Sequence, residues 1–141
     1  MTQKDKELLL KDLCARLPYG VKLGFYASAI KQTILCTLLG LEPQEDEPII
    51  AKTENGSFYM LAGNVKPYLF PLSSITPEQE KELSKLGVSY GEYAIHDDIR
   101  GLGIMVDEAY IFFEFCYKNH IDFLGLIDMG LANDATGLNI Y

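Results

Sequence analysis

The chain has 141 residues, 48% of them hydrophobic, with 20 acidic against 12 basic side chains, a formal net charge of −8 and a pI near 4.7. That length and apolar content fit one domain with its own core and exclude a disordered chain. The Lys and Arg residues are scattered through an acidic sequence, which argues against a phosphate-neutralising groove and so against a nucleic-acid partner.

No apolar run approaches the roughly 20 residues a membrane helix needs. Met1 to Asp12 is charged and lacks the apolar core of a signal peptide. The cysteines Cys14, Cys36 and Cys116 are odd in number and sit inside apolar patterns. They are expected to be reduced thiols at core positions of a cytoplasmic protein.

Lys4 to Arg16 reads as an amphipathic helix. Leu9, Leu10, Leu13, Cys14 and Leu17 form its apolar side, Lys4, Asp5, Lys11 and Asp12 fall mostly opposite, and Pro18 stops it. Tyr19 to Ala27 alternates as a strand, with Val21, Leu23 and Phe25 on one face. Ala27 to Ala29 turns the chain. Ile30 to Leu41 is apolar enough for a buried strand or a short helix; its β-branched residues favour the strand, and Gly40 is expected to end it. Glu42 to Pro48 is an acidic, solvated loop without the sharp-turn glycine of a calcium loop. Glu54-Asn55-Gly56 lies between Ile49 to Lys52 and Ser57 to Ala62, a hairpin signal.

Val65 to Gly87 divides a front half of strands from a back half of helices. Pro67 and Pro71 lack backbone donors, so Lys66 to Leu72 is expected at the sheet edge or as a polyproline-like crossing, with Tyr68, Phe70 and Leu72 on one face. Thr76-Pro77-Glu78-Gln79 is a helix start: a hydroxyl cap, a proline at the first helical position and a capping-box glutamine. Leu83 and Leu86 supply the stripe and Gly87 the left-handed stop. Val88 to Gly103 shows no period, a length of irregular chain often tied to function. Val106 to Asn119 reads as a helix with Ala109, Phe112, Phe113 and Cys116 inward, widened by Tyr110 and Phe115. Asp122 is expected to cap a shorter helix, Phe123 to Met129, ended by Gly130. A turn-rich tail, Asn133 to Tyr141, follows.

These elements predict an α+β fold: an N-terminal helix, a small antiparallel sheet, and C-terminal helices packed on it. An SH3-like or Sm-like open barrel is one way to close such a sheet. The whole forms a single domain, 1–141, with a helix-plus-β half to residue 76 and a helical half from residue 77.

Three segments carry a resemblance. KDLCARLPYGV at Lys11 to Val21, VKPYLFPLSSIT at Val65 to Thr76 and KNHIDFLGLIDMGLANDATGLNIY at Lys118 to Tyr141 resemble an uncharacterised family of small proteins. That family is encoded by gut anaerobes of the Bacteroidales type and by their phages and prophages. Ile30 to Leu41 is more apolar than the family's second strand, and Val88 to Val106 departs from its pattern. The resemblance implies a cytoplasmic protein associated with phages or mobile elements, and it transfers no catalytic residue.

The remaining constellations are sparse. Cys116 and His120 would share a helical face if the helix reached His120, and with His96, Asp97 and Asp98 they suggest a metal site. Cys116 or Cys14 with His96 or His120 as base would be a thiol enzyme, but neither cysteine has the electropositive or helix-start setting that lowers a thiol pKa. Gly101-Leu102-Gly103 lacks the third glycine of a dinucleotide fingerprint, and there is no phosphate-binding loop, so no cofactor is expected. The nine tyrosines, without tryptophan, suit contact surfaces. The candidate interaction surface is Tyr68, Tyr90, Tyr93, His96, Asp97 and Asp98. The expected role is a non-enzymatic accessory protein acting on a protein partner. A metal-dependent or thiol enzyme using Cys116, His120 and His96 is the alternative. An acidic mimic of nucleic acid comes third, because the acidic residues are dispersed.

Overall fold

A computed structural model describes residues 1–42, 44–46, 48–88 and 106–141. The first helix, α1 (Gln3–Arg16), starts in a capping box: the Thr2 hydroxyl accepts from the Asp5 amide, and the Asp5 carboxylate accepts from the Thr2 amide. A 3-10 turn at Leu17–Tyr19 and a left-handed Gly20 end it. Its buried face is Leu9, Asp12, Leu13 and Arg16, the i, i+3, i+4, i+7 spacing of one helical stripe. Two expectations change here. Asp12 points inward rather than to the polar side, because Arg16 one turn later neutralises it. Cys14 is exposed, because the stripe passes beside it.

Four antiparallel strands follow as a meander: β1 (Lys22–Ala27), β2 (Gln32–Leu41), β3 (Ile49–Thr53) and β4 (Gly56–Met60). The ambiguous apolar run is a strand. It begins at Gln32 because Ile30 and Lys31 belong to the turn, where Lys31 is left-handed at φ 52°. Gly40 does not end β2; it sits at a register shift against β3 that starts at Leu38, a bulge that bends the strand. The Asn55-Gly56 hairpin forms where expected. Residues directly opposite across a ladder share a face, so Leu23, Cys36, Leu38, Ala51, Ile49 and Met60 line one side. That side packs on Leu9 and Leu13 of α1 in the main core.

β5 (Val65–Pro71) pairs antiparallel with β1 and extends the strand order to β4-β3-β2-β1-β5. It is not an edge strand. Val65, Pro67 and Leu69 are its buried side, while Tyr68 and Phe70 are half-buried. Two short parallel partners flank it, β6 (Ile121–Asp122) and β7 (Asn133–Asp134). Phe70 N–H donates to His120 O, and Leu69 O accepts from Ala135 N–H, each at 2.8 Å. These two β5 groups share one trans peptide plane and point opposite ways, so β6 and β7 lie on opposite edges of β5. The prolines are tolerated because these bonds use the groups between them.

α2 (Pro77–Lys85) has the expected capping box from Thr76 and Gln79. It closes in a Schellman arrangement: Gly87 is at φ 87°, its N–H donates to Ser84 O, and Val88 N–H donates to Leu83 O. Leu83 is buried, but Leu86 is exposed and Val88 takes the inward place. α3 (Val106–Lys118) buries Phe112, Phe115 and Cys116, with Leu83, Val88 and Ile121, in a second core; Tyr110 faces outward. The helix expected over Phe123 to Met129 is absent. Asp122 does bond to backbone, but to Leu126 and Ile127, too far along for a helix cap, and Gly125 is left-handed at φ 75°. The architecture is α+β, with the β6 and β7 segments returning to the sheet. No helix among the described residues is long and apolar enough to cross a membrane.

Candidate functional site

Of the sequence-predicted surface, only Tyr68 falls within the described residues; Tyr90, Tyr93, His96, Asp97 and Asp98 lie outside them, as does all of the stretch read as aperiodic, Val88 to Gly103, except Val88. Tyr68 is half-buried against β1. A Cβ built on Gly24 would stand 3.1 Å from the Tyr68 hydroxyl and 3.1 Å from Asn133 Nδ2, so the side chains of Tyr68 and Asn133 close over the outer face of β1 at this point. Tyr141 continues that cover. Its hydroxyl donates to Tyr68 O at 2.6 Å and accepts from Lys22 N–H at 3.0 Å. Burial pushes this phenol up to about 12.

Beyond that cover several large apolar side chains of the sheet are exposed. Leu35, Phe58 and Tyr59 are 46%, 47% and 54% exposed. Leu35 and Tyr59 lie on the outer face, opposite Gly24 and Ile50, whereas Phe58 lies opposite Ala51 on the core side. The sheet therefore extends past the helix that covers it. A depression of about 900 Å³ opens here, lined by Phe25, Ile34, Leu35, Phe58 and Tyr59 with Lys22, Lys52 and Glu54 among its polar residues. Exposed apolar side chains thus stand on both faces of the sheet here, and exposed apolar surface can mark contact sites in soluble domains. Lys22 donates to the Thr37 hydroxyl at 2.8 Å. The lining thiol, Cys36, donates to Leu23 O and is pushed up to about 11 by burial. It is a core group and not a nucleophile at neutral pH.

A second constellation is buried. Arg16 Nε pairs with Asp12 Oδ2 at 2.7 Å, with both side chains fully enclosed. Arg16 Nη2 donates to Ile121 O at 2.9 Å, and its guanidinium lies 5.1 Å from the centre of the Tyr117 ring. Burial raises the Asp12 carboxyl, and the guanidinium opposes that. Asp122 accepts from Leu126 N–H and Ile127 N–H at 2.9 and 2.8 Å. His120, left-handed at φ 58°, stacks on Tyr141 at 3.8 Å between ring centres. Burial, with the Arg16 and Lys22 charges, lowers it to about 4. This knot joins α1 to the end of α3 and β6; Asp12 Oδ2 is taken up by Arg16, while the buried Asp12 Oδ1 has no hydrogen-bond partner among the described residues.

The Cys116–His120 pair comes apart for a local reason. α3 stops at Lys118, and His120 turns left-handed, so the two side chains do not share a helical face. Cys116 is enclosed and pushed up to about 12 by burial. Among the described residues, no three His, Cys, Asp or Glu side chains gather where one ion could be held. Two sets of residues escaped the sequence reading. Asp12 and Arg16 sit at i and i+4 on the Leu9–Leu13 stripe, and that spacing was the available signal. Leu35 and Leu39 interleave with Cys36 and Leu38, a strand apolar on both faces, which is a signal for a second contact surface.

No protein-family model, no curated protein and no solved structure matches the chain.

Proposed function

We propose that this is a non-enzymatic binding protein, an accessory factor of phage or mobile-element origin that acts on a protein partner through the bare part of its sheet. The observation that carries this reading is the exposure of three large apolar side chains, Leu35, Phe58 and Tyr59, that line a depression with Phe25 and Ile34. Exposing side chains of this size to water has a cost that a partner would remove, roughly 25 cal/mol for each Å² covered. The buried charges support it from the other side, since Asp12, Arg16 and Asp122 are committed to internal bonds.

The test is affinity capture from the native host, comparing the wild-type chain with Leu35→Ser/Phe58→Ser. Both positions are exposed, so the variant is expected to fold, which circular dichroism checks. A stoichiometric partner retained by the wild type and lost by the variant is the expected result. Purification without any partner, or capture indifferent to both substitutions, overturns the reading.

A further inference from the structure

We propose that the outer edge of β4 takes up a basic, extended peptide segment as an added strand; this rests on the binding reading above and gives its partner a chemistry. Among the described residues β4 pairs with β3 alone. Its other edge therefore presents backbone donors and acceptors to an incoming strand. Apolar side chains stand on both faces of that edge: Phe58 on the side of Ala51 and Tyr59 on the side of Ile50, both exposed. An added strand would meet an apolar neighbour on each face, and such cross-strand pairs stabilise a ladder.

The charge of the incoming segment follows from the loop beside it. A second depression, of about 620 Å³, is lined by Glu42, Glu45 and Asp46 together with Tyr59 and Leu61. The loop is drawn closed by Glu42 N–H donating to Pro48 O at 2.8 Å, and Glu45 N–H donates to Glu42 O at 2.9 Å. None of the three carboxylates is ion-paired with a described residue. Lysine or arginine side chains on the added strand would find these carboxylates next to its apolar contacts. A second copy of this chain fits worse, because it brings a net charge of −8 and the same acidic loop.

The test uses the full chain, isotope-labelled for amide NMR, and short synthetic peptides of alternating lysine and valine or of alternating glutamate and valine. The lysine peptide is expected to shift the amides of Gly56–Met60 and to bind less tightly as salt is raised, while the glutamate peptide leaves them unmoved. Glu45→Lys/Asp46→Lys, on an exposed loop, is expected to weaken the lysine peptide about tenfold. Tyr59→Lys is expected to abolish its binding. Equal binding of both peptides, no shift at β4, or an unchanged affinity in the loop variant overturns the proposal. So does self-association of the unliganded chain that Tyr59→Lys removes, which would make the edge homotypic. If these peptides fail while partner capture still depends on Leu35 and Phe58, strand addition alone is rejected; if that dependence is also lost, the binding reading falls with it.

Discussion

Replacing Arg16 with methionine tests the buried knot most severely. The substitution removes an enclosed cation and leaves Asp12 enclosed, where the pair had met at 2.7 Å. Breaking a buried ion pair from one side costs about 3–5 kcal/mol, because the remaining charge is unpaired in a poor solvent. Ile121 O also loses its 2.9 Å donor, which adds about 1 kcal/mol. The sum, about 4–6 kcal/mol, rivals the whole stability of many domains. Asp12→Leu alone strands the guanidinium and should cost about 3–5 kcal/mol by the same reasoning. The double variant Asp12→Leu/Arg16→Met removes both charges and retains only the carbonyl penalty, about 1–2 kcal/mol. Urea unfolding of the four proteins is expected to show the double variant more stable than either single one. Additive losses would refute the idea that the two charges hold each other. The pH dependence has a fixed sign. Burial raises the Asp12 carboxyl, and without Arg16 nothing opposes it. The Arg16→Met deficit is therefore smallest below the unfolded carboxyl pKa and grows as pH rises, so it should be smaller at pH 5 than at pH 7. A deficit independent of pH would argue that Asp12 is not the stranded group.

Other outcomes follow from single sites. Cys14 is exposed while Cys36 and Cys116 are enclosed and pushed up to about 11 and 12. A thiol reagent should therefore label Cys14 alone in the folded protein and all three cysteines in denaturant; rapid labelling of Cys116 in the native state would contradict its place in the core. His120 is held near 4 against an ordinary 6.5, so the unfolded chain takes up a proton that the folded one refuses between those values. That contribution is complete above pH 6.5 and is lost as pH falls through 4, at most about 3 kcal/mol. His120→Asn, which suits the left-handed backbone, should remove this part of the acid dependence, and parallel unfolding curves for both proteins would refute it. Thr76→Ala deletes the hydroxyl that accepts from Gln79 N–H and should cost about 1 kcal/mol in chemical denaturation; no loss would mean that α2 is held by packing alone.

The parts of the fold that local chemistry determines were readable in the residues. Thr76, Pro77, Gln79 and Gly87 specify both ends of α2, and Asn55-Gly56 specifies the hairpin, because each signal acts within a few positions. What escaped depends on distant partners. Asp12 read as a polar-side charge, and its inward place depends on Arg16, whose guanidinium in turn reaches Ile121 O. Pro67 and Pro71 suggested an edge, yet β6 and β7 attach through Phe70 N–H and Leu69 O, groups the prolines do not affect. Asp122 read as a helix cap, and Gly125 turned its bonds to a loop instead. The binding surface was placed at Tyr68 and downstream. Tyr68 is half-buried, and its backbone carbonyl accepts from the Tyr141 hydroxyl, while Leu35, Phe58 and Tyr59 looked like ordinary strand residues because nothing local says which strand positions remain exposed.

The clamp on Arg16 also sets an order for making the protein. Arg16 and Ile121 are 105 positions apart, and Lys22 and Tyr141 are 119 apart. A chain leaving the ribosome exposes α1 and the β1–β4 meander long before these partners exist. Until the stretch beyond α3 emerges, the first helix holds a cation with no carbonyl to receive it, and both flanks of β5 lack their short parallel strands. The Arg16 bonds are thus completed late in biogenesis, and a nascent chain halted within α3, which lacks Ile121, should be more sensitive to protease at its amino-terminal helix than the full chain.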